Sequence, residues 1–339
     1  MKFSLLGGLT PRIFLARHWQ KRMLLVRGAL PRLENPLSLR ELLALARGDD
    51  AESRIVERRG MRWNTAHGPF RRIAPKERNW TILVSGVNLH VAAADALLRR
   101  FSFLPQARLD DVMVSYATPG GGVGPHVDSY DVFLLQGPGR RRWRIAGRDY
   151  VVGQGDLLYL PPGIKHDGVA LEPCFTYSIG FRAPRGAELG AAFLDWLHDR
   201  GLPDARYQDP AAPPARRPAL IPAPMVQFAA AMLGRITWSR DDVVDFLGEY
   251  LTQPKAHVVF RPSAARGRWL RLDTRSQLLY SGPRFFLNGD RVAVPSRARA
   301  AMRELADRRG IDAGRLAALA SLVGEWRRAG YAHLGSRDG

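Results

Sequence analysis

Two short motifs constrain the fold of this chain more than any other part of its sequence. The first is His126-x-Asp128, and the second, residues 155–166, reads Gly-Asp, four apolar residues, Pro-Pro-Gly, two further residues and His166. Side chains on a strand alternate between its faces, so His126 and Asp128 are expected to point the same way. The Pro-Pro-Gly turn ends a short apolar strand and delivers His166. The motifs therefore predict a double-sheet β core with all three side chains at its mouth.

These three side chains match a known metal-binding arrangement. Two histidines and one carboxylate on one side of an ion form the facial site of non-haem ferrous oxygenases, which leaves positions open for a cosubstrate and dioxygen. Taken alone, His126-x-Asp128 is equally typical of a solvated strand end. The second motif is of the cupin type, and it favours His126, Asp128 and His166 as metal ligands.

A wider set of residues resembles a known family. Around the two motifs, the likeness extends to residues 17–22, 131–137, 140–144 and 177–184. Together they resemble the bacterial ribosomal oxygenases, a Jumonji-C (JmjC) branch of the 2-oxoglutarate/iron family that hydroxylates an arginine of a large-subunit ribosomal protein. The resemblance is strong in roughly the first half of the chain and rests on domain layout in the rest. It implies Fe(II), 2-oxoglutarate and dioxygen as cofactor and cosubstrates, and a large-subunit ribosomal protein as substrate.

The resemblance also implies which residues hold the cosubstrate. Arg141, two residues before Trp143, matches the basic position that grips the far carboxylate of 2-oxoglutarate, and a guanidinium suits this by bidentate geometry. Met113 and Ser115 share one face of the predicted strand 111–116 and are expected beside the cosubstrate. Tyr177 or Ser178 is a further candidate for the same pocket. The neighbouring arginines at 140, 142 and 144 are interpreted as a solvated basic edge.

An arginine substrate needs a carboxylate or an aromatic wall for its guanidinium. Asp111 and Tyr130 are the candidates, since Asp111 shares a face with Met113 and Tyr130 continues the alternation of the first motif. Their alternative interpretations are a strand-start residue and ordinary core packing. Only 155 − 143 = 12 positions separate Trp143 from Gly155, where the family usually carries a longer excursion near the substrate entrance. The chain turns back directly through residues 147–150, so substrate choice is where a departure from the family is expected.

The predicted architecture is mainly β with α, in three domains. Residues 1–185 are the JmjC/cupin catalytic domain, a double-stranded β-helix or jelly roll. Residues 186–258 form a helical segment that makes a homodimer in the family, although its apolar stripes are equally consistent with packing on the chain itself. Residues 259–339 are winged-helix-like, with helices over 296–308 and 312–329 and an Asn-Gly hairpin at 288–289. In the first domain a helix is predicted over residues 11–22.

The composition indicates which partners and which cellular compartment to expect. Lys and Arg number 51 against 32 Asp and Glu, a net charge of +19, and such a field attracts polyanions such as ribosomal RNA. Nucleic-acid contact, for example by the basic residues of the winged-helix-like domain, is therefore open. The single cysteine fits a reducing compartment. No stretch approaches the length of a membrane span, and a cytoplasmic protein is expected.

Two rival functions remain open from the residues alone. One is a Jumonji-C oxygenase that acts on another protein residue, such as histidine or methylated lysine, or on a small molecule. The other is a cupin ligand sensor coupled to winged-helix DNA binding. An oxygenase predicts turnover of the cosubstrate, whereas a sensor predicts ligand retention and salt-dependent duplex binding.

Overall fold

Twelve strands build the β core in the computed structural model, which describes residues 4–210 and 214–337. They are short, and most of their residues are β-branched, aromatic or leucine. In chain order they are β1 (Leu24–Val26), β2 (Ser53–Arg59), β3 (Arg62–His67), β4 (Trp80–Val84), β5 (Leu109–Ala117), β6 (His126–Val127), β7 (Val132–Gln136), β8 (Arg141–Ile145), β9 (Arg148–Val152), β10 (Leu157–Leu160), β11 (Lys165–Ala170) and β12 (Cys174–Phe181).

The strands form two antiparallel sheets. The larger has the order β1-β10-β7-β12-β5-β4-β2-β3, and the smaller has the order β6-β11-β8-β9. Along the chain β7 lies in the larger sheet, β8 and β9 in the smaller, β10 in the larger again and β11 in the smaller. Such alternation between two sheets is the connectivity of a jelly roll. The predicted double-sheet core is therefore confirmed.

Both faces of the larger sheet are covered at its centre, and β7 shows how the sequence achieves this. Phe133 and Leu135 pack into a large aromatic and aliphatic core, while Val132 and Leu134 face the smaller sheet beside Trp143. A strand buried on both faces reads as a continuous apolar run instead of an alternation. Three helices contribute buried leucine, alanine and phenylalanine side chains to the larger core: α1 (Pro11–Arg17), α2 (Leu39–Leu45) and α3 (Ala92–Arg99).

The first helix is shorter than predicted, because it ends at Arg17 instead of continuing to residue 22. Beyond it, Trp19 stacks on Tyr159, and Gln20 adopts a left-handed backbone with its N–H donating to the Tyr159 hydroxyl. The Tyr159 hydroxyl in turn donates to the fully buried carboxylate of Asp131, which also accepts from the Gln20 amide. These long-range hydrogen bonds override the local helix pattern.

The C-terminal half is built from helices and short strands. Its elements are α4 (Gly186–Asp199), α5 (Ala223–Leu233), α6 (Arg240–Thr252), β13 (Trp269–Leu272), β14 (Leu278–Ser281), β15 (Arg284–Leu287), β16 (Asp290–Val292), α7 (Arg299–Arg308), β17 (Gly310–Asp312), α8 (Ala320–Ala329) and β18 (Ala332–Gly335). The Asn288-Gly289 turn joins β15 to β16 as predicted, with both residues at positive φ.

The last predicted helix is partly wrong. Residues 310–312 form β17, and a 3-10 segment (Ala313–Leu319) precedes α8. The Asp312 side chain accepts from the Gly314 N–H and caps this segment, and Leu316 interrupts it with non-helical dihedral angles. Similarly, the helix predicted from residue 296 begins with a 3-10 turn, and α7 itself starts at Arg299.

The chain divides into two compact units. One comprises Met1–Ala183, Pro254–Ser276 and Arg297–Gly339, and the other Pro184–Gln253 and Gln277–Ser296, so far as these ranges are described. In the second unit α6 packs so closely on β15 that a Cβ at Gly248 would lie 2.3 Å from the Phe286 ring. The predicted boundaries after residues 185 and 258 stay predictions. Among the described helices, none is long and apolar enough to cross a membrane.

Candidate active site

The two histidines of the sequence motifs are cross-strand neighbours. His126 on β6 pairs directly with His166 on β11, and their ring centroids are 4.3 Å apart. Asp128 follows on the same side, with one carboxylate oxygen 3.8 Å from His126 Nε2 and the other 3.6 Å from His166 Nε2. One ligand atom from each residue lies within 4.8 Å of the others, so these three side chains could hold a metal ion.

Backbone carbonyls fix the orientation of both imidazoles. His126 Nδ1 lies 2.9 Å from the Gly124 oxygen, and His166 Nδ1 lies 2.9 Å from the Ile164 oxygen. Because a carbonyl only accepts, each Nδ1 carries the proton, and each Nε2 lone pair is directed toward Asp128. Burial lowers the pKa of His166 and favours its neutral form. Two neutral imidazoles and one carboxylate are a donor set that suits divalent iron.

Glycines allow the first motif to approach its neighbours. Gly124 has a φ of +83°, and a Cβ there would lie 2.8 Å from Trp63 Nε1 on β3. A Cβ at Gly122 would lie 2.4 Å from the Gly168 carbonyl oxygen on β11. A side chain at Gly122 would push the first motif away from β11, and one at Gly124 would push it away from β3, so either would displace His126.

A cavity of about 430 Å³ opens between the two sheets beside the histidines. Polar and apolar side chains both line it, with walls from β2, β3, β4, β5, β7 and β12 of the larger sheet and from β6, β8 and β11 of the smaller. It brings together all eight residues predicted for the site: Asp111, Met113, Ser115, His126, Asp128, Tyr130, Arg141 and His166.

Arg141 reaches this cavity from β8 with incomplete partners. The residue is 4% exposed, and its Nε has no hydrogen-bond partner among the described residues. Its Nη2 makes only a long contact of 3.8 Å to Cys174 Sγ, and its guanidinium lies 5.7 Å from the Trp143 ring centroid. A buried guanidinium without a carboxylate partner is costly unless an anion joins it. The donors of Arg141 therefore fit a ligand carboxylate.

The face of β5 that carries its odd-numbered residues is directed into the cavity, as predicted from strand alternation. Asp111, Met113 and Ser115 all line the cavity, and Ser178 on β12 lies opposite Met113. Tyr177, the other candidate at this point, faces away from the cavity: it is fully buried in the larger core, where its hydroxyl donates to Asn35. Of these two candidates the structure places only Ser178 in the pocket.

Asp111 and Tyr130 lie close together in the wall of the cavity. A Cβ at Gly180 would lie 3.5 Å from Asp111 Oδ1 and 3.9 Å from the Tyr130 ring, so both flank this glycine. The Gly86 N–H donates to Asp111 Oδ2 at 2.7 Å. Burial raises the pKa of Asp111, and the Lys255 ammonium opposes that rise. Burial and the Asp128 charge raise the pKa of Tyr130 to about 12, so its hydroxyl stays protonated at neutral pH.

Sequence reasoning missed Lys255, Asp110 and Arg54 among the lining residues. The Lys255 ammonium lies 3.3 Å from Asp110 Oδ1 and 3.8 Å from Asp111 Oδ2. Lys255 follows the end of α6, about 145 residues beyond its partners, and no local pattern signals such a contact.

The turn between β8 and β9 is even tighter than predicted. Ala146 and Gly147 alone form it, with φ values of 47° and 78°, and residues 148–150 already belong to β9. Positive φ at both central residues is the two-residue hairpin geometry that suits twisted strands.

Comparisons with known proteins agree with this site. A family model described as the JmjC domain matches residues 96–150 and 146–189, and one described as a ROXA-like winged helix matches residues 235–331. The ribosomal protein uL16 3-hydroxylase of Escherichia coli K12 is 38% identical over 273 residues, which cover 74% of this chain and 73% of the relative. A probable ribosomal oxygenase of Haemophilus influenzae is 34% identical over 217 residues, covering 55% of this chain and 53% of the relative.

Solved structures extend the likeness to nearly the whole chain. A ribosomal oxygenase from Escherichia coli superposes with a TM-score of 0.82 at 34% identity, covering 97% of this chain and 98% of that one. The same enzyme in complex with cobalt and 2-oxoglutarate gives a TM-score of 0.81 at 34% identity, covering 96% and 98%. The predicted jelly-roll core and winged-helix-like region are confirmed, and the chain belongs to the ribosomal oxygenases, a family of JmjC-domain hydroxylases.

Proposed function

We propose that this chain is an Fe(II)- and 2-oxoglutarate-dependent oxygenase that hydroxylates an arginine side chain of a large-subunit ribosomal protein. One observation carries the proposal: the His126–Asp128–His166 cluster opens into the same cavity as a buried guanidinium with an unmatched donor. The Escherichia coli relative, named for hydroxylation of the ribosomal protein uL16, and its complex with 2-oxoglutarate support this substrate class.

The metal would be held by His126, Asp128 and His166. Bound iron with 2-oxoglutarate supplies the oxidation of an unactivated C–H bond by dioxygen. The contribution of the chain is orientation: carbonyls hold each Nδ1–H, which directs both Nε2 atoms toward one point beside the Asp128 carboxylate. No further acidic ligand is needed, and the remaining positions stay open for the cosubstrate.

The cosubstrate would lie between the sheets. Arg141 on β8 would bind the carboxylate far from the metal, and Ser115 on β5 would donate a hydrogen bond from the opposite sheet. Met113 would form an apolar wall beside it. With the cosubstrate bound, the Arg141 guanidinium gains the anion that no described carboxylate supplies, because none lies within ion-pair distance of it.

The substrate arginine would enter past Asp111 and Tyr130. Asp111 is desolvated, so its carboxylate gains more from a guanidinium than an exposed carboxylate would. The Gly86 N–H occupies one side of Asp111 Oδ2 and leaves the other oxygen facing Gly180 and Tyr130. The Tyr130 ring provides a wall on which the planar guanidinium can stack.

Substituting Asp111 tests this pocket. We expect Asp111→Asn to raise the KM for an arginine-containing substrate peptide by about 100-fold, because it removes the buried charge that faces the guanidinium. The KM for 2-oxoglutarate should change by less than about threefold, since Arg141 is untouched. Peptide-dependent succinate formation measures both constants. Asp149→Asn, on the exposed β9, is the matched control and should leave both unchanged.

Substituting Lys255 is expected to change the peptide KM in the opposite direction from Asp111→Asn. Its ammonium partly neutralises Asp110 and Asp111, so a substrate guanidinium must compete with it. We expect Lys255→Met to lower the peptide KM by about threefold to tenfold, in line with removal of one like charge at a half-exposed site. The same peptide titration measures it, with Lys76→Met as control. A raised KM would show that Lys255 helps to hold the substrate instead of competing with it.

A homodimer is proposed through the helical segment. Among described side chains α5 has none that is buried, and Met225, Val226 and Leu233 are exposed on it. Exposed apolar residues clustered on one helix mark an association surface. We expect Val226→Glu with Leu233→Glu to convert a dimer to a monomer in light scattering coupled to gel filtration. Leu171→Glu, an exposed leucine of the β core, is the control. A wild-type monomer at all concentrations would contradict the proposal.

The reaction itself is tested on ribosomal proteins. Purified protein with Fe(II), 2-oxoglutarate and air should add one oxygen to a single arginine of a large-subunit protein taken from a strain that lacks the enzyme, as read by mass spectrometry. Succinate without a ribosomal product would move the search to another substrate. Absence of succinate under all conditions would refute the oxygenase chemistry. A cytoplasmic location stays a prediction.

A further inference from the structure

We propose that the β2–β3 hairpin and the segment after it form an RNA-binding surface at the β3 edge of the larger sheet. We call this the basic hairpin surface and define it by six exposed cations: Arg59, Arg62, Arg71, Arg72, Lys76 and Arg78.

The charge of this region is strongly one-sided. Residues 54–78 contain eight Lys or Arg against two Glu. One of the two, Glu57, is already paired, with Lys76 at 2.6 Å and Arg59 at 3.3 Å. These ion pairs lower the pKa of Glu57. Ion pairs within the region therefore neutralise only part of its positive charge.

Four arginines of the surface have no protein partner. Within residues 4–210 and 214–337, the side chains of Arg62, Arg71, Arg72 and Arg78 make no ion pair or hydrogen bond, and all four are exposed. Arginines on other strands do pair, as Arg144 with Asp149 and Arg284 with Asp241 illustrate. Exposed arginines without a partner among the described residues also occur elsewhere, as Arg12 and Arg40 show, but here four of them fall within 17 positions (78 − 62 + 1 = 17).

Hydrogen bonds fix the segment against the hairpin. The Gly68 N–H donates to the Ser53 carbonyl, and the Arg58 N–H donates to the Asn79 carbonyl, each within 2.9 Å. The Asn79 N–H donates to Pro119, just before the glycines of the first motif. Both ends of the segment are therefore anchored, and its arginines are presented on a formed surface, which lowers the entropy lost on binding.

The hairpin that carries this surface lines the catalytic cavity with its other face. Arg54, Val56 and Thr65 of the hairpin line the cavity itself. Further along the same face, Arg58 lies over the Trp63 ring at 5.4 Å, and Trp63 packs against Gly124, two residues before His126. Arg59 and Arg62 alternate to the opposite face of the hairpin, so a polyanion bound to them would lie outside the cavity.

Charge and shape favour RNA over other partners. Exposed guanidiniums recognise phosphate bidentately, and a cluster of unpaired cations is typical of nucleic-acid surfaces. A cationic substrate segment would be repelled here, so the surface does not serve the substrate arginine. Choosing RNA over DNA rests on the proposed function, because a ribosomal protein is found with RNA. The occupant is then RNA that accompanies the substrate protein.

Neutralising the four unpaired arginines tests the inference. The variant carries Arg62→Gln, Arg71→Gln, Arg72→Gln and Arg78→Gln in the full chain. Its matched control removes the same charge from exposed arginines elsewhere, by Arg12→Gln, Arg40→Gln, Arg216→Gln and Arg297→Gln. The probe is a fluorescein-labelled single-stranded RNA of about 20 nucleotides, whose anisotropy is measured over a range of salt concentrations.

We expect the hairpin variant to bind the RNA at least about tenfold more weakly than wild type near 0.1 M salt, with a shallower salt dependence by about 2 to 3 charges. The control should stay within about threefold. Equal loss in both variants, or none in the hairpin variant, would overturn the inference. So would binding of poly-glutamate with no binding of RNA, which would assign the surface to an acidic polypeptide.

A second readout separates this inference from the proposed function. Hydroxylation of a short arginine-containing peptide, free of RNA, is expected to proceed at the wild-type rate in the hairpin variant, because none of its four residues lines the cavity. If the peptide is not hydroxylated by wild type either, the substrate proposal fails, while the RNA measurement still decides the surface.

Discussion

Replacing His126 by alanine is expected to abolish turnover of 2-oxoglutarate to succinate, to below about one thousandth of the wild-type rate. His126 supplies one of three ligand atoms that lie within 4.8 Å of one another, and no other histidine is among the cavity-lining residues that could substitute for it besides His166. A metal centre lowers the activation barrier by several kcal/mol, and each 1.36 kcal/mol changes the rate by a factor of about ten.

A metal titration together with thermal unfolding distinguishes loss of the metal site from loss of the fold. A titration with Co²⁺, followed by visible absorption, should show a high-affinity site in wild type and a loss of at least about 100-fold in His126→Ala. Thermal unfolding without metal should be nearly unchanged, because the residue is only half-buried. His198→Ala, on the exposed face of α4, is the control and should match wild type in all three assays. Retention of a tenth of the activity by His126→Ala would remove this residue from the metal set.

The sequence predicted the metal cluster because each part of it is locally encoded. His126 and Asp128 share a face through strand alternation, and the Pro-Pro-Gly turn fixes where β11 begins, with His166 as its second residue. The same holds for Asp111, Met113 and Ser115, three alternate residues of β5 that all reach the cavity. Resemblance to a family then assigned roles, such as that of Arg141, which alternation alone cannot give.

Long-range contacts explain what the sequence did not predict. The left-handed Gln20, which follows the end of α1, is held by Tyr159, 139 positions away. Lys255 reaches Asp110 across an even longer separation, with no periodicity that links them. Tyr177 and Ser178 were equal candidates because neither strand face was known, and only the pairing of β12 with β5 decided between them. Burial of both sheet faces removes the alternation that would have marked the inner one.

Replacing Arg141 by methionine is expected to raise the KM for 2-oxoglutarate by about 100-fold, since a charge-assisted, bidentate interaction with a buried carboxylate contributes about 2 to 3 kcal/mol. At saturating cosubstrate the rate should recover to within about tenfold, because the metal ligands are untouched. Arg141→Lys should fall between the two, as it keeps the charge and loses the fork geometry. Succinate formation as a function of 2-oxoglutarate concentration measures all three proteins.

Stability gives the more discriminating result for Arg141, because the unliganded protein buries this charge with an unmatched Nε. Removing it should leave the ligand-free Tm unchanged or higher, whereas most buried substitutions lower it. With metal and 2-oxoglutarate present, wild type should gain several degrees and Arg141→Met should gain none at the same concentration. Arg142→Met is the matched control: its side chain alternates to the other face of β8, near Asp149 at 3.9 Å, so cosubstrate KM and ligand-induced stabilisation should both equal wild type. A Tm that falls in ligand-free Arg141→Met, with an unchanged KM, would make Arg141 a structural residue and leave the cosubstrate carboxylate without its proposed partner.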